Sequence, residues 1–124
     1  MPLKILIVED SSVFRDLIAA TVESVGGVRA ITAATGFEAL KLLPRHKFDL
    51  ILTDLQMPDI NGLELINFVK RNPNYRETPL FVITSDAREQ QRERVLAMGA
   101  VEYILKPFEP TDLAVLVRRH LKIE

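Results

Sequence analysis

Cysteine is absent from this chain of 124 residues. That excludes disulfides, thiol catalysis and thiolate metal centres, and it fits a reducing compartment without requiring one. An excess of one charge is missing as well. Lys and Arg number 16 against 17 Asp and Glu, a formal net charge of -1, so there is no broad basic field to hold nucleic acid or an anionic membrane. No apolar run approaches the roughly 20 residues that a spanning helix needs, and the opening "MPLKILIVED" turns acidic too early for a signal peptide. A cytoplasmic protein with no membrane contact and no direct nucleic-acid binding is expected. Internal repeats, low-complexity runs and linkers are lacking too, so nothing marks a second module.

What is present is enough apolar residue for one core and hardly two: 48% hydrophobic against 27% charged. One soluble domain over 1–124 is the expectation. Apolar runs alternate with segments of helical period, each bounded by turn or capping residues. The strands read as "LKILIV", "VRAITA", "FDLILT", "PLFVIT" and "VEYIL". Between them, 12–25 carries Phe14, Leu17, Ile18, Thr21, Val22 and Val25 on one stripe. Thr35 with Glu38 forms a capping-box pattern before Phe37, Leu40 and Leu43, and Pro44 ends that helix.

Asn61 can cap a third helix bearing Leu63, Ile66 and Val69, and "NPNYRETP" then forms a polar loop. A charge-rich fourth helix spans about 87–98, with Ala87, Val95, Leu96 and Met98 as its apolar positions and Gly99 as its cap. A fifth starts near Pro110 and buries Leu113, Leu116, Val117 and Leu121. Strands this uniformly apolar fit a sheet covered on both faces, which predicts an α/β three-layer sandwich with parallel strands and right-handed crossovers.

In such a sheet, ligands bind beyond the carboxyl ends of the strands, where the strand order reverses. Glu9 and Asp10 follow the first strand, Asp54 the third, Thr84 and Ser85 close the fourth, and Lys106 with Pro107 follows the fifth. Acids, hydroxyls and an ammonium therefore converge on one edge. Each alone has an ordinary reading: a helix cap, a turn, a β-branched strand residue, a solvated lysine. Together they do not. Crowded carboxylates call for a proton or a hard cation such as Mg2+, and a carboxylate can act as a nucleophile towards phosphorus. In that reading Asp54 attacks, Glu9 and Asp10 help hold the metal, and Lys106 and Thr84 contact phosphoryl oxygens.

The stretches "ILIVEDS" at 5–11, "DLILTDLQMPDINGLEL" at 49–65, "PLFVITS" at 79–85 and "GAVEYILKPF" at 99–108 closely resemble the receiver domain of two-component response regulators, over essentially the whole chain. The resemblance implies a flavodoxin-like fold with strand order 2-1-3-4-5. It also implies that Asp54 takes a phosphoryl group from a phosphohistidine on a partner kinase or phosphotransfer protein. Mg2+ would be held by Asp10, Asp54 and the backbone carbonyl of Gln56, with Glu9 acting mostly through metal-bound water. Lys106 would contact the phosphoryl group, followed by a cis bond to Pro107. The chain would be a switch that assists its own phosphorylation and slow self-dephosphorylation, not an enzyme acting on a separate substrate.

By the same resemblance Thr84 and Tyr103 carry the switch: the hydroxyl moves towards the phosphoryl group and the ring turns inward. The surface of helix four, strand five and helix five, including Arg88, Gln91, Arg92, Tyr103 and Arg118, would then meet a downstream protein or an output domain. Departures from the family pattern are small. The acid pair is Glu-Asp where Asp-Asp is frequent, and Gln56 and Asp86 stand at variable positions that bear on phosphoryl lifetime.

Three rival readings share some of these features. A flavodoxin-like electron carrier needs a hydroxyl- and glycine-rich phosphate loop where this chain has "EDSSVF". A metal-dependent phosphatase needs an insertion to cap its substrate, and none is visible. A receiver-like interaction module that works without phosphorylation is the remaining alternative, and the complete set of acceptor, acid pair, Thr and Lys argues against it.

Overall fold

In the computed structural model, which describes residues 2–123, the apolar runs become five strands. They are β1 (Leu3–Val8), β2 (Val28–Ala33), β3 (Leu50–Thr53), β4 (Leu80–Thr84) and β5 (Glu102–Leu105). All pair in parallel, in the order β2-β1-β3-β4-β5, as expected. Five helices, α1 (Ser12–Glu23), α2 (Gly36–Leu42), α3 (Gly62–Arg71), α4 (Glu89–Ala97) and α5 (Pro110–Leu121), connect and follow them, with a short 3-10 turn at Leu43–Arg45.

Side chains alternate across a strand, and the two faces of β1 show where each helix lies. Leu6 and Val8 pack with α2, α3 and α4 through Ala39, Leu65, Ile66, Val69 and Val95. Ile5 and Ile7 pack with α1 and α5 through Ile18, Val22, Leu113 and Val117. Every residue of β3 and β4 is buried because both faces are covered. Each fully buried Leu, Ile or Val contributes about 1.5–3 kcal/mol, so the sheet centre is rigid ground for whatever follows the strand ends.

The predicted caps at Thr35 and Asn61 form, accepting from the backbone N–H of Glu38 and Glu64, and α1 is capped by Ser11, which accepts from Phe14 N–H. Gly99 ends α4 with φ +116, a left-handed conformation that a side chain would strain.

Several boundaries and faces differ from the sequence pattern. Phe37 is 57% exposed: in the first turn of α2 the slots against the core belong to Gly36 and Ala39, which leaves the Phe37 ring outside. Leu17 is 39% exposed at the margin of its stripe. In α5, Ala114 is buried while Leu116 and Leu121 are only partly covered. α4 begins at Glu89 because the Asp86 carboxylate accepts the Arg88 N–H, a local turn that competes with helix. No helix among the described residues is long and apolar enough to cross a membrane.

Candidate functional site

Val8 and Thr53 are partners in the β1–β3 register. The residues that follow them, Glu9 and Asp54, therefore leave the sheet side by side, at the point where the strand order reverses. Hydrogen bonds from Asp54 N–H to the Val8 carbonyl and from Glu9 N–H to the Ala33 carbonyl, each 3.0 Å, carry the pairing past the strand ends. Lys106 N–H donates to the Thr84 carbonyl at 2.9 Å and brings the lysine to the same edge. The Lys106–Pro107 peptide is cis.

These residues bound an open cleft of about 440 Å³, lined by Glu9, Asp10, Asp54, Gln56, Ser85 and Lys106 together with Ser11, Phe14 and Pro107. A larger groove of about 610 Å³ lies at the opposite, amino-terminal edge of the sheet, beside His46, Phe48 and Tyr75. The convergent charges are in the smaller one.

Asp54 is buried, and its two oxygens are held differently. Oδ1 accepts from Leu55 N–H at 2.6 Å and from Gln56 N–H at 3.3 Å, while Oδ2 accepts from the Lys106 ammonium at 2.8 Å. Lys106 also lies against Glu9 Oε1. The ammonium is the partner that the structure gives this fully buried oxygen, which no other N–H or O–H among the described residues approaches in hydrogen-bond geometry. Glu9 Oε2 accepts from Ser11 N–H at 3.0 Å.

Burial pushes the Glu9 carboxyl above its ordinary value, and the Asp54 charge adds to the rise; the Lys106 and Ser11 contacts only partly offset it. For Lys106, burial acts to lower the ammonium, but hydrogen bonds to Asp54 and Glu9 outweigh it and hold the group above its usual value.

One ammonium faces three carboxylates. Ligand oxygens of Glu9, Asp10 and Asp54 lie within 4.8 Å of one another. With all-oxygen donors and more negative charge than one ammonium offsets, this set fits a hard divalent cation.

Thr84 is fully buried and does not line the cleft; its hydroxyl accepts from Asp86 N–H at 3.2 Å, and Ser85 lines the cleft instead. Tyr103, partly buried on β5, donates its hydroxyl to the Asp86 carbonyl at 2.6 Å. The Asp86 carboxylate is gripped by Arg88 through Nε at 3.0 Å and Nη2 at 2.7 Å. Those bonds pull it down to about 2. Of the predicted contact face, Arg88 and Arg92 are exposed and Gln91 and Arg118 are partly covered.

Sequence reasoning passed over three participants. Arg15 donates to the Glu9 carbonyl at 2.9 Å and steadies the acid pair. Asp59 accepts from Gly36 and Phe37 N–H at 3.0 and 2.9 Å, tying the segment after Asp54 to α2. Phe14, read only as part of a core stripe, forms a wall of the cleft. The signal for Phe14 and Arg15 was their place in the first turn of the helix that follows the acid pair; for Asp59 there was none, because its partners are 22 and 23 positions away.

Residues 5–118 match the family model described as response regulator receiver domain. The polar-differentiation response regulator DivK of Brucella anthropi is 34% identical over 98% of each chain. A chemotaxis protein CheY homolog of Campylobacter jejuni is 34% identical over 90% of this chain and 86% of its own length. The transcriptional regulatory protein YvrH of Bacillus subtilis is also 34% identical, and there the chain spans about half, 48%, of the relative.

Among solved structures, the chemotaxis response regulator CheY4 of Vibrio cholerae superposes with a TM-score of 0.88 at 31% identity, covering 97% of this chain and 99% of that one. The receiver domain of a Pseudomonas aeruginosa sensor histidine kinase, solved with a magnesium ion coordinated in its active-site cleft, gives 0.87 at 30% identity over 98% and 99%. A chain that matches along nearly its whole length in sequence and in fold, with its acids and lysine gathered at the strand-order reversal, belongs to the response regulator receiver domain family.

Proposed function

We propose that the chain is a phosphorylation-dependent signalling switch in which Asp54 is the phosphoacceptor. The observation that carries this reading is the placement of Asp54: one oxygen is fixed by two backbone N–H groups and the other lies 2.8 Å from the Lys106 ammonium, among carboxylates that need a cation. An anchored carboxylate whose second oxygen is held only by a lysine side chain is suited to nucleophilic attack on phosphorus.

The donor is a phosphohistidine on a partner histidine kinase or phosphotransfer protein. An Asp54 oxygen forms the bond to phosphorus while the phosphorus–nitrogen bond breaks, and its electron pair leaves with the donor imidazole. Lys106 then exchanges its carboxylate contact for an oxygen of the transferred group, and its charge offsets the one that arrives.

Asp10, Asp54 and the Gln56 carbonyl would hold Mg2+, with Glu9 supporting the site from beside them. When bound, Mg2+ supplies positive charge against both the carboxylates and the transferred group. The Thr84 hydroxyl, now occupied by Asp86 N–H, turns towards the new phosphoryl group. Tyr103 and the face of α4, β5 and α5, including Arg88, Gln91, Arg92 and Arg118, present the result to a downstream protein or output domain. Attack by water returns the switch slowly to its starting state. The reading treats 1–124 as one receiver unit acting in the cytoplasm without direct contact to nucleic acid or membrane.

The test is incubation with Mg2+ and acetyl phosphate followed by intact-mass measurement, with Asp54→Asn and a chelator in parallel. A gain of one phosphoryl group, lost in both controls, is the expected result. No gain in the folded, metal-loaded wild type, even with a phosphohistidine protein donor, sinks the reading in favour of a module that works without phosphorylation.

A further inference from the structure

Phe14 lies in the first turn of α1, and its half-buried ring forms one wall of the cleft. The Lys106 ammonium stands 4.6 Å from the centre of that ring, inside the roughly 6 Å over which a cation is attracted to an aromatic face. Phe108 packs near the ring, with centroids 6.4 Å apart and planes tilted by 39°. The ammonium thus has Asp54 and Glu9 on one side and an aromatic surface on another, and its side chain is only 9% exposed.

The chemistry of Lys106 makes this placement informative. During phosphotransfer the ammonium has to leave the carboxylates for the oxygens of an incoming group, and a lysine that rehydrates on the way loses electrostatic strength. A hydrogen-bond acceptor in the position of the ring would pin one N–H in a fixed direction. An aliphatic side chain would exclude water but offer no attraction. An aromatic face excludes water and attracts the charge without regard to which N–H points where.

We infer that Phe14 is a positioning residue for the phosphotransfer reaction: its ring holds the Lys106 ammonium desolvated and free to turn from Asp54 and Glu9 to the phosphoryl oxygens. The inference rests on Asp54 being the phosphoacceptor.

The experiment uses the full chain with Phe14→Leu, which keeps apolar bulk, and Phe14→Tyr, which keeps the aromatic face, each also combined with Lys106→Met. Rates of phosphorylation by acetyl phosphate at saturating Mg2+ are followed by intact mass. Phe14→Leu is expected to slow the reaction by roughly two- to fivefold, the rate equivalent of an ordinary cation–π contact. Phe14→Tyr should retain the wild-type rate, and Phe14→Leu should cause no further loss once Lys106 is Met.

A second readout needs no phosphorylation. In the metal-free protein the Lys106 ε-methylene protons should be shifted upfield by the ring in wild type and Phe14→Tyr, and should return to ordinary lysine positions in Phe14→Leu. An unshifted Lys106 signal in wild type, a wild-type rate in Phe14→Leu, or an equal loss in the Lys106→Met background would each overturn the inference. Failure of wild type itself to take a phosphoryl group from any donor overturns the acceptor reading along with this one, whereas normal wild-type phosphorylation with an unaffected Phe14→Leu overturns this one alone.

Discussion

The Lys106 ammonium and the Asp54 carboxylate meet at 2.8 Å although 52 positions separate them in the chain. The lysine is the cation that holds the crowded acids together in the metal-free protein, and it touches Glu9 as well. Its removal therefore affects stability and metal binding in opposite directions.

Lys106→Met leaves two buried carboxylates facing each other without a counter-charge. A stability loss of about 1–3 kcal/mol is expected without metal, the usual cost of an unsatisfied buried acceptor. Mg2+ should bind more tightly than to wild type, because the ammonium no longer repels it. Urea unfolding with and without Mg2+ measures both effects, and an unchanged Mg2+ affinity would contradict the shared-site reading.

Glu9→Gln preserves shape and can still accept from Ser11 N–H, but it removes a charge that burial already disfavours. The metal-free protein should melt at or slightly above the wild-type temperature, while Mg2+ affinity should fall by roughly tenfold or more, the usual effect of losing a partner that supports a metal site. Calorimetric Mg2+ titration alongside thermal melts decides the matter. A large drop in melting temperature would show that the Lys106 contact outweighs the burial cost.

Gly62 stands where the backbone of the acceptor strand passes closest. A Cβ there would lie 2.6 Å from Leu55 Cα and close upon the Asp54 carbonyl, and the Gly62 N–H already bonds the Leu55 carbonyl at 2.8 Å. Gly62→Ala should destabilise the fold by about 1–3 kcal/mol through overpacking and displace Asp54 enough to slow phosphorylation. Unfolding midpoints and acetyl phosphate rates together check this, and a fully stable, fully active variant would refute it.

Asp86 and Arg88 supply a pH signature. Hydrogen bonds from the Arg88 guanidinium hold the Asp86 carboxyl at about 2, below the ordinary 3.8. Because the folded value is the lower one, the contribution of the pair to stability is complete above 3.8 and is lost as pH falls through about 2. Carbon NMR of the carboxyl should show that midpoint in wild type and a return towards 3.8 in Arg88→Ala. The same variant should loosen the loop whose carbonyl receives the Tyr103 hydroxyl.

The central strands were legible because burial on both faces removes polar residues from them: Leu50, Ile51 and Leu52 could hardly be anything but interior. Helix faces were less so. Phe37 follows the helical period with Leu40 and Leu43, yet Gly36 and Ala39 occupy the slots against the core. Periodicity says which residues share a side of a helix, and only packing says how far along the helix that side stays covered.

For the site, the strand-end positions of Glu9, Asp10, Asp54, Thr84 and Lys106 followed from alternation of strand and helix plus the rule that ligands gather at carboxyl ends. Residue types and their order along the chain were enough for that, because strand direction and the parallel sheet leave a strand end only one edge to occupy. What the sequence could not supply were distances and orientations: that Lys106 spans Asp54 and Glu9, that Phe14 stands over the ammonium, that Thr84 is turned towards Asp86, and that Asp59 ties its loop to α2. Those depend on register between strands and on rotamers settled by neighbours far away in the chain, and such long-range contacts leave no local pattern of residues to read.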